Sequence, residues 1–173
     1  MARQPETYVD FEVYDSEFGN LVGVGSATLP NVEFLTQSIT GAGIGGTIEA
    51  VVVGMNNAMS LTLNFRSVTD AATKLMSPKK HVLDMRVAEQ YWDTIEVEKQ
   101  IHADKFVLTV VPKNASVGAV TPATTAAVSG EYTVYRYEGY DDGTELFCID
   151  PFNYICRIGG VDYSADIRAA LGK

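Results

Sequence analysis

A chain of 173 residues, 46% apolar and 20% charged, has the length and make-up of one globular domain, which excludes a disordered or low-complexity protein. Thirteen basic against 22 acidic residues give a net charge of −9, which excludes a cationic footprint for phosphates or anionic lipid. No apolar run reaches the roughly 20 residues a membrane helix needs, and the polar start lacks the apolar core of a secretory signal. Synthesis in the cytoplasm is expected, with Cys148 and Cys156 as reduced thiols. The acid excess is uneven: residues 1–60 hold seven carboxylates and one base, Arg3.

Residues 8–14 alternate, with Val9, Phe11 and Val13 on one face and Asp10 and Glu12 on the other, as a half-buried strand does. Residues 16–20 read as a turn, so this strand and the next (residues 21–29, stopped at Pro30-Asn31) are expected to form a hairpin. Two further strand-like stretches, residues 32–40 and 47–54, flank Gly41-Ala42-Gly43-Ile44-Gly45-Gly46. Four glycines in six residues supply no side chains for a core, so this is the flexible tip of an arm that projects over about residues 31–55. After a polar turn at Met55-Asn56-Asn57 the alternation is cleanest: Met59, Leu61, Leu63 and Phe65 against Ser60, Thr62 and Asn64.

Thr69 or Asp70 caps a helix of about two turns that ends before Pro78. Residues 81–92 and 95–111 are the next strands. In the second, Glu96, Glu98, Gln100, His102 and Asp104 share one parity and Ile95, Val97, Ile101 and Ala103 the other. Lys99 interrupts the apolar row, as at a sheet edge or subunit boundary, and the phase is expected to change near Phe106 through a bulge or bend. Residues 112–129, small and without period, read as a long loop. Strands over residues 131–140 and 145–149 flank the hairpin turn Asp141-Asp142-Gly143-Thr144. Residues 153–158, the turn Gly159-Gly160 and a short helix over residues 164–171 close the chain. No repeat or linker interrupts it, so residues 1–173 form one mostly-β domain, a sandwich or small barrel with one or two short helices.

Chemistry is sparse. Gly41, Gly43 and Gly46 satisfy G-x-G-x-x-G, but a strand-like stretch follows where a dinucleotide site needs a helix N-terminus. His81 and His102 are far apart and have no metal-ligand spacing; His102, in a polar strand row, is expected to be solvated. Asp141-Asp142 lacks the calcium-loop pattern and is explained by a hairpin turn. Glu96 and Glu98, about 7 Å apart on a strand face, approach the spacing of a glycosidase pair, with no sugar platform beside them. No catalytic, cofactor-binding or metal-ligating residue is assigned, and the chain is not read as an enzyme.

The run of residues 22–30, the patch Gly41–Gly46, then Gly54 and residues 58–61 resemble the major tail tube protein of contractile-tailed bacteriophages. Ile149-Asp150, Asn153, Ile155 and Gly160-Val161-Asp162, with a short closing helix, are similar to that family in the same order, and the middle, residues 81–129, departs most. The tubes of R-type bacteriocins look alike in sequence. The resemblance implies a β-sandwich or barrel-like structural subunit whose inner sheet continues across subunits, six to a ring. Rings stack into a tube inside a sheath, a conduit for DNA or for piercing an envelope. The implied partners are further copies of the chain, the sheath protein, baseplate or initiator and tape-measure proteins, and DNA only in non-specific passage, with no membrane anchor. The implied location is a virion or tail-like particle assembled in a bacterium. On this reading Gly41, Gly43, Ile44, Gly45 and Gly46 form a subunit or inter-ring contact, and Glu96, Glu98, Gln100 and Asp104 face the lumen or solvent. The alternative is a small β-sandwich that binds carbohydrate or another ligand on Tyr132, Tyr135, Tyr137 and Tyr140.

Overall fold

The computed structural model describes residues 3–173. Its spine is an antiparallel ladder of β7 (His81–Asp93), β8 (Glu98–Ser116) and β9 (Val128–Asp141), with β1 (Arg3–Asp15) added to β7. β9 keeps β8 along one side. Its other side carries β6 (Met59–Phe65) as far as Val134, then β10 (Thr144–Asp150) from Tyr137 onward. The exchange falls where Arg136 pairs with Thr109 and Val134 with Val110, leaving Tyr135 as the extra residue of a bulge. A bulge bends its strand and raises its twist, and here β9 passes from one neighbour to the next. β3 (Val24–Thr28) lies on β6, and β11 (Ile155–Ile158) and β12 (Val161–Asp162) extend from β10. No helix among the described residues is long and apolar enough to cross a membrane.

The core follows from the alternation. Met59, Leu61, Leu63 and Phe65 are all buried, and they meet Leu83, Met85, Leu108 and Val110 from β7 and β8. Each fully buried leucine contributes roughly 1.5–3 kcal/mol relative to an exposed one. Leu75, completely buried, follows the short helix α1 (Asp70–Lys74), whose Thr69 side chain accepts a hydrogen bond from Ala72 N at 3.1 Å, as the cap reading expects. The Asp141–Thr144 turn has φ of +46° at Asp142 and +79° at Gly143, the left-handed pair of a tight hairpin. α2 (Ala165–Ala170) closes the chain.

Three expectations are corrected. The first two long strands do not form a hairpin: only the two-residue β2 (Gly19–Asn20) returns along β1, and β3 pairs with β6. β3 goes there because Val24 and Ala27 pack on the apolar cluster. Bulges in β1 between Pro5 and Thr7 and between Tyr8 and Asp10 also separate Val9, 55% exposed, from Val13, 1% exposed. Second, residues 94–97 are a turn, not strand: the Asp93 carboxylate accepts from the N–H groups of Ile95 and Glu96, and Val97 has φ +57°. Third, no phase change occurs near Phe106. The β7–β8 register runs unbroken from His81↔Val110 to Asp93↔Glu98, so even-numbered residues of β8 from Glu98 to Val110 share one face. That face changes character because the apolar cluster stops at Val87 and Phe106. The loop expected over residues 112–129 narrows to residues 117–127, since β8 and β9 extend to Ser116 and Val128.

Cys148 and Cys156 are free and buried. Cys148 stands opposite Arg157 and Cys156 opposite Ile149, which puts the two thiols on opposite faces of the β10–β11 ribbon. Burial pushes the Cys148 thiol up to about 11 and raises that of Cys156. The folded protein should therefore react with Ellman's reagent at pH 8 at least about 100-fold more slowly than a free thiol. Both cysteines should react once guanidinium unfolds the chain, and rapid native labelling would contradict this packing.

Candidate assembly interface

β1 is bonded to β7 from Arg3 to Asp15, yet its outer side meets β2 only at Tyr14 and Asp15, and the Val13 carbonyl accepts from Leu21 N at 2.8 Å. Among the described residues, no strand covers the outer edge of residues 3–12. Residues 3–10 are all exposed. A bare edge of that length is a template for another strand.

The second feature is the arm. β4 (Phe34–Ile39) and β5 (Ile48–Asn56) form a separate two-stranded sheet, in register from Ile39↔Ile48 to Thr36↔Val51 and closed by Phe34↔Asn56. An isolated hairpin is marginally stable in water. This one is fixed at its base, where Asn57 N donates to Glu33 O at 2.7 Å and Ser164 Oγ donates to Gly54 O at 3.4 Å. Phe34, Val52, Cys156, Ile158 and Tyr163 line an apolar groove of about 280 Å³ there. Along β5, Val51 and Val53 are 59% and 60% exposed, joined by Ile48 and Met55 and by Leu35 and Ile39 of β4. So much apolar surface on a thin ribbon is unfavourable unless covered.

Gly54 sets how the arm leaves the body: its φ is +70°, and a Cβ there would run into Ser164 Oγ. Gly54→Ala should lower Tm by about 4 °C, from left-handed strain plus crowding, and should reduce hydrogen-exchange protection in β5 and α2. Gly45→Ala, with open space around its Cβ, should leave both unchanged. Equal behaviour of the two variants would show that the arm is not seated through Gly54.

Gly41, Gly43, Gly45 and Gly46 are exposed at the tip and Ile44 is half-buried; Ile44 N donates to Gly41 O at 3.2 Å, and Gly43 has φ +89°. The row of Glu96, Glu98, Gln100 and Asp104 is broken, with Glu96 in the turn, Glu98 exposed at the start of β8, and Gln100 and Asp104 half-buried. Gln100 accepts from Tyr91 Oη at 2.5 Å and donates to Glu98 at 3.1 Å.

His102 is not solvated, contrary to the expectation from its place in the polar row. Its side chain is only 10% exposed, edge-on to Tyr91, with Nε2 against the Asp141 carboxylate and Nδ1 3.4 Å from Arg3 Nη1. Burial pushes the Glu89 carboxyl up and Asp104 beside it adds to the shift; burial also raises Asp104, partly offset by His102. His102 and Asp141 lie on separate strands, so only the β8–β9 register brings them together. The Asp142-Gly143 turn joins β9 to β10 and leaves the β8–β9 register open, so no local sequence signal marks this pair.

The opposite face of β9 and β10 carries the ion pairs of Arg136 with Glu138 and Asp150 and of Arg157 with Glu145, which tie the strands together. The tyrosines make no sugar platform: Tyr132 and Tyr137 are in the core, 2% and 5% exposed, and the bulge turns Tyr135 away from them, onto Phe152.

The family model described as phage tail tube protein FII matches residues 5–172. No curated protein sequence matches the chain. Among solved structures, the chain is similar to the sheath/tube terminator of an extracellular contractile injection system, PVC, in the extended state. That match has a TM-score of 0.56 and 11% identity, and covers 81% of this chain and 99% of that chain. The sheath-tube complex of the same system gives a TM-score of 0.49 at 12% identity, covering 76% and 88%. At such identities the likeness is one of fold.

Proposed function

The chain belongs to the phage tail tube protein FII family, and from that premise we propose that its copies stand side by side in rings of six, with the free edge of β1 continuing the sheet of one copy into the next. The observation that carries this reading is the uncovered edge of residues 3–12. In a monomer it leaves backbone groups to water and invites aggregation; in a closed ring it vanishes, as edges do in any barrel. Rings then stack, and the arm, apolar along Val51 and Val53 and open at its glycine tip, reaches the neighbouring ring and is covered there. The job is mechanical, with no bond made or broken.

The similar solved structure is a sheath/tube terminator, which supports a sheath around the outside of this tube as well. A baseplate component starts growth and a tape-measure protein sets length. A net charge of −9 suits a conduit through which DNA passes without adhering, and it suits equally a tube driven through an envelope. Electron microscopy of concentrated purified protein, with sonicated tube fragments as seeds, tests the reading. Hollow rods of uniform width with six-fold end views are expected. Monomers at every concentration, seeded or not, would overturn it.

A further inference from the structure

Beyond the apolar cluster, the core face of the sheet runs on, and there the register sets four side chains in a staggered set across three strands. Glu89 of β7 stands opposite His102 of β8, and Asp104 of β8 stands opposite Asp141 of β9. All four share one face, because directly paired residues point the same way and His102 and Asp104 are two apart. One ligand atom each from His102, Asp104 and Asp141 lies within 4.8 Å of the others. They sit in a concavity of about 350 Å³ whose walls include Tyr8, Tyr91 and Phe106.

Like charges directly opposite on neighbouring strands destabilise a sheet. Here an Asp–Asp pair has a third carboxylate beside it, and aromatic walls strengthen the repulsion. Arg3 is the one full cation among the described lining residues, against Glu89, Asp104 and Asp141. The histidine is nine-tenths buried and presents Nε2, not its Nδ1 edge, to the carboxylates.

We infer that His102, Asp104 and Asp141 bind a divalent transition-metal ion through one imidazole nitrogen and two carboxylate oxygens, with Glu89 holding Asp104 or supplying a fourth oxygen. Ligand bonds of about 2.0–2.2 Å set ligand atoms roughly 3–3.5 Å apart, so His102 Nε2 and the Asp141 carboxylate draw apart by about an ångström while Asp104 stays within reach of both. The mixed nitrogen and oxygen set favours zinc or manganese; calcium, which takes six to eight oxygens, fits poorly. The ion enters between Nε2 and Asp141, so the imidazole proton moves to Nδ1 and Arg3, an exposed side chain, turns onto the Tyr91 ring it already overlies at 5.1 Å. The ion ties β8 to β9, and β7 through Glu89, at the point where β9 ends and β7 and β8 run on as a pair. None of this depends on tube assembly.

The test is calorimetric titration of the unassembled, chelator-treated full chain with zinc chloride, manganese chloride and calcium chloride, alongside thermal melts. One zinc or manganese per chain is expected, with Tm raised by about 5–10 °C when metal stands 100-fold above Kd, and no such rise with calcium. Asp141→Asn and His102→Ala should weaken binding by more than about 100-fold, Glu89→Gln by about 10-fold, and Arg3→Ala should keep or tighten it. The wild-type titration decides even if a variant fails to fold. No saturable binding of zinc or manganese, or equal binding by Asp141→Asn and His102→Ala, would overturn the inference, as would tighter binding of calcium.

Discussion

Val51→Asp/Val53→Asp should yield a normally folded subunit that forms no rods at concentrations where the wild type polymerises freely. Both side chains are mostly in water, at 59% and 60% exposure, so the unassembled fold loses only their shallow packing in the groove beside Cys156, Ile158 and Tyr163. In the stacked tube proposed above they would become buried. Burying one such side chain contributes roughly 1.5–3 kcal/mol, and placing a carboxylate at a covered apolar site adds a desolvation penalty of several kcal/mol unless it finds a partner. A deficit of only 3 kcal/mol per contact raises the threshold for growth by about 100-fold. Replacing Gly41–Gly46 with a two-residue Asn-Gly turn should act the same way by shortening the reach, again with Tm unchanged. Pelleting assays and micrographs read both; wild-type rods from either variant would remove the arm from the contact.

Deleting residues 1–9 should have an effect at least as large. The described part of this stretch, residues 3–9, is exposed throughout, and buried side chains in β1 begin at Val13, so the core survives. What goes is most of the free edge. Main-chain hydrogen bonds contribute about 0.5–1.5 kcal/mol each net, so the edge of residues 3–12 stands for on the order of 5–10 kcal/mol per junction between copies. The truncated chain should give a cooperative melt a few degrees lower, since β7 loses its partner from Glu89 to Asp93, and should neither polymerise nor enter wild-type tubes. Ordinary rods from it would mean that β1 takes no part in closing the ring.

Local signals carried much of the fold. The alternation of Met59 to Phe65, the Thr69 cap and the Asp142-Gly143 turn each depend on a few adjacent residues, and each forms as the sequence implies. The arm's two strands and glycine tip were legible for the same reason. Strand partners were not: β3 follows β1 closely in sequence but pairs with β6, because periodicity tells which face is apolar and not which edge it joins. The row on β8 misled because one face can be core at Leu108 and Val110 and polar at Gln100 and Asp104 once the apolar layer ends. Tyr135 and Tyr137 looked like neighbours on one face until the bulge separated them. The His102–Asp141 cluster joins residues on different strands, so no spacing motif could have announced it.

The most direct measurement is an electron cryo-microscopy map of the assembled protein, clear enough to trace the backbone at the junction between two copies. Main-chain hydrogen bonds from residues 3–12 of one copy to a strand of its neighbour, making one uninterrupted sheet around a hollow, are the expected result. A β1 edge still facing water, with copies touching only through side chains, would contradict it.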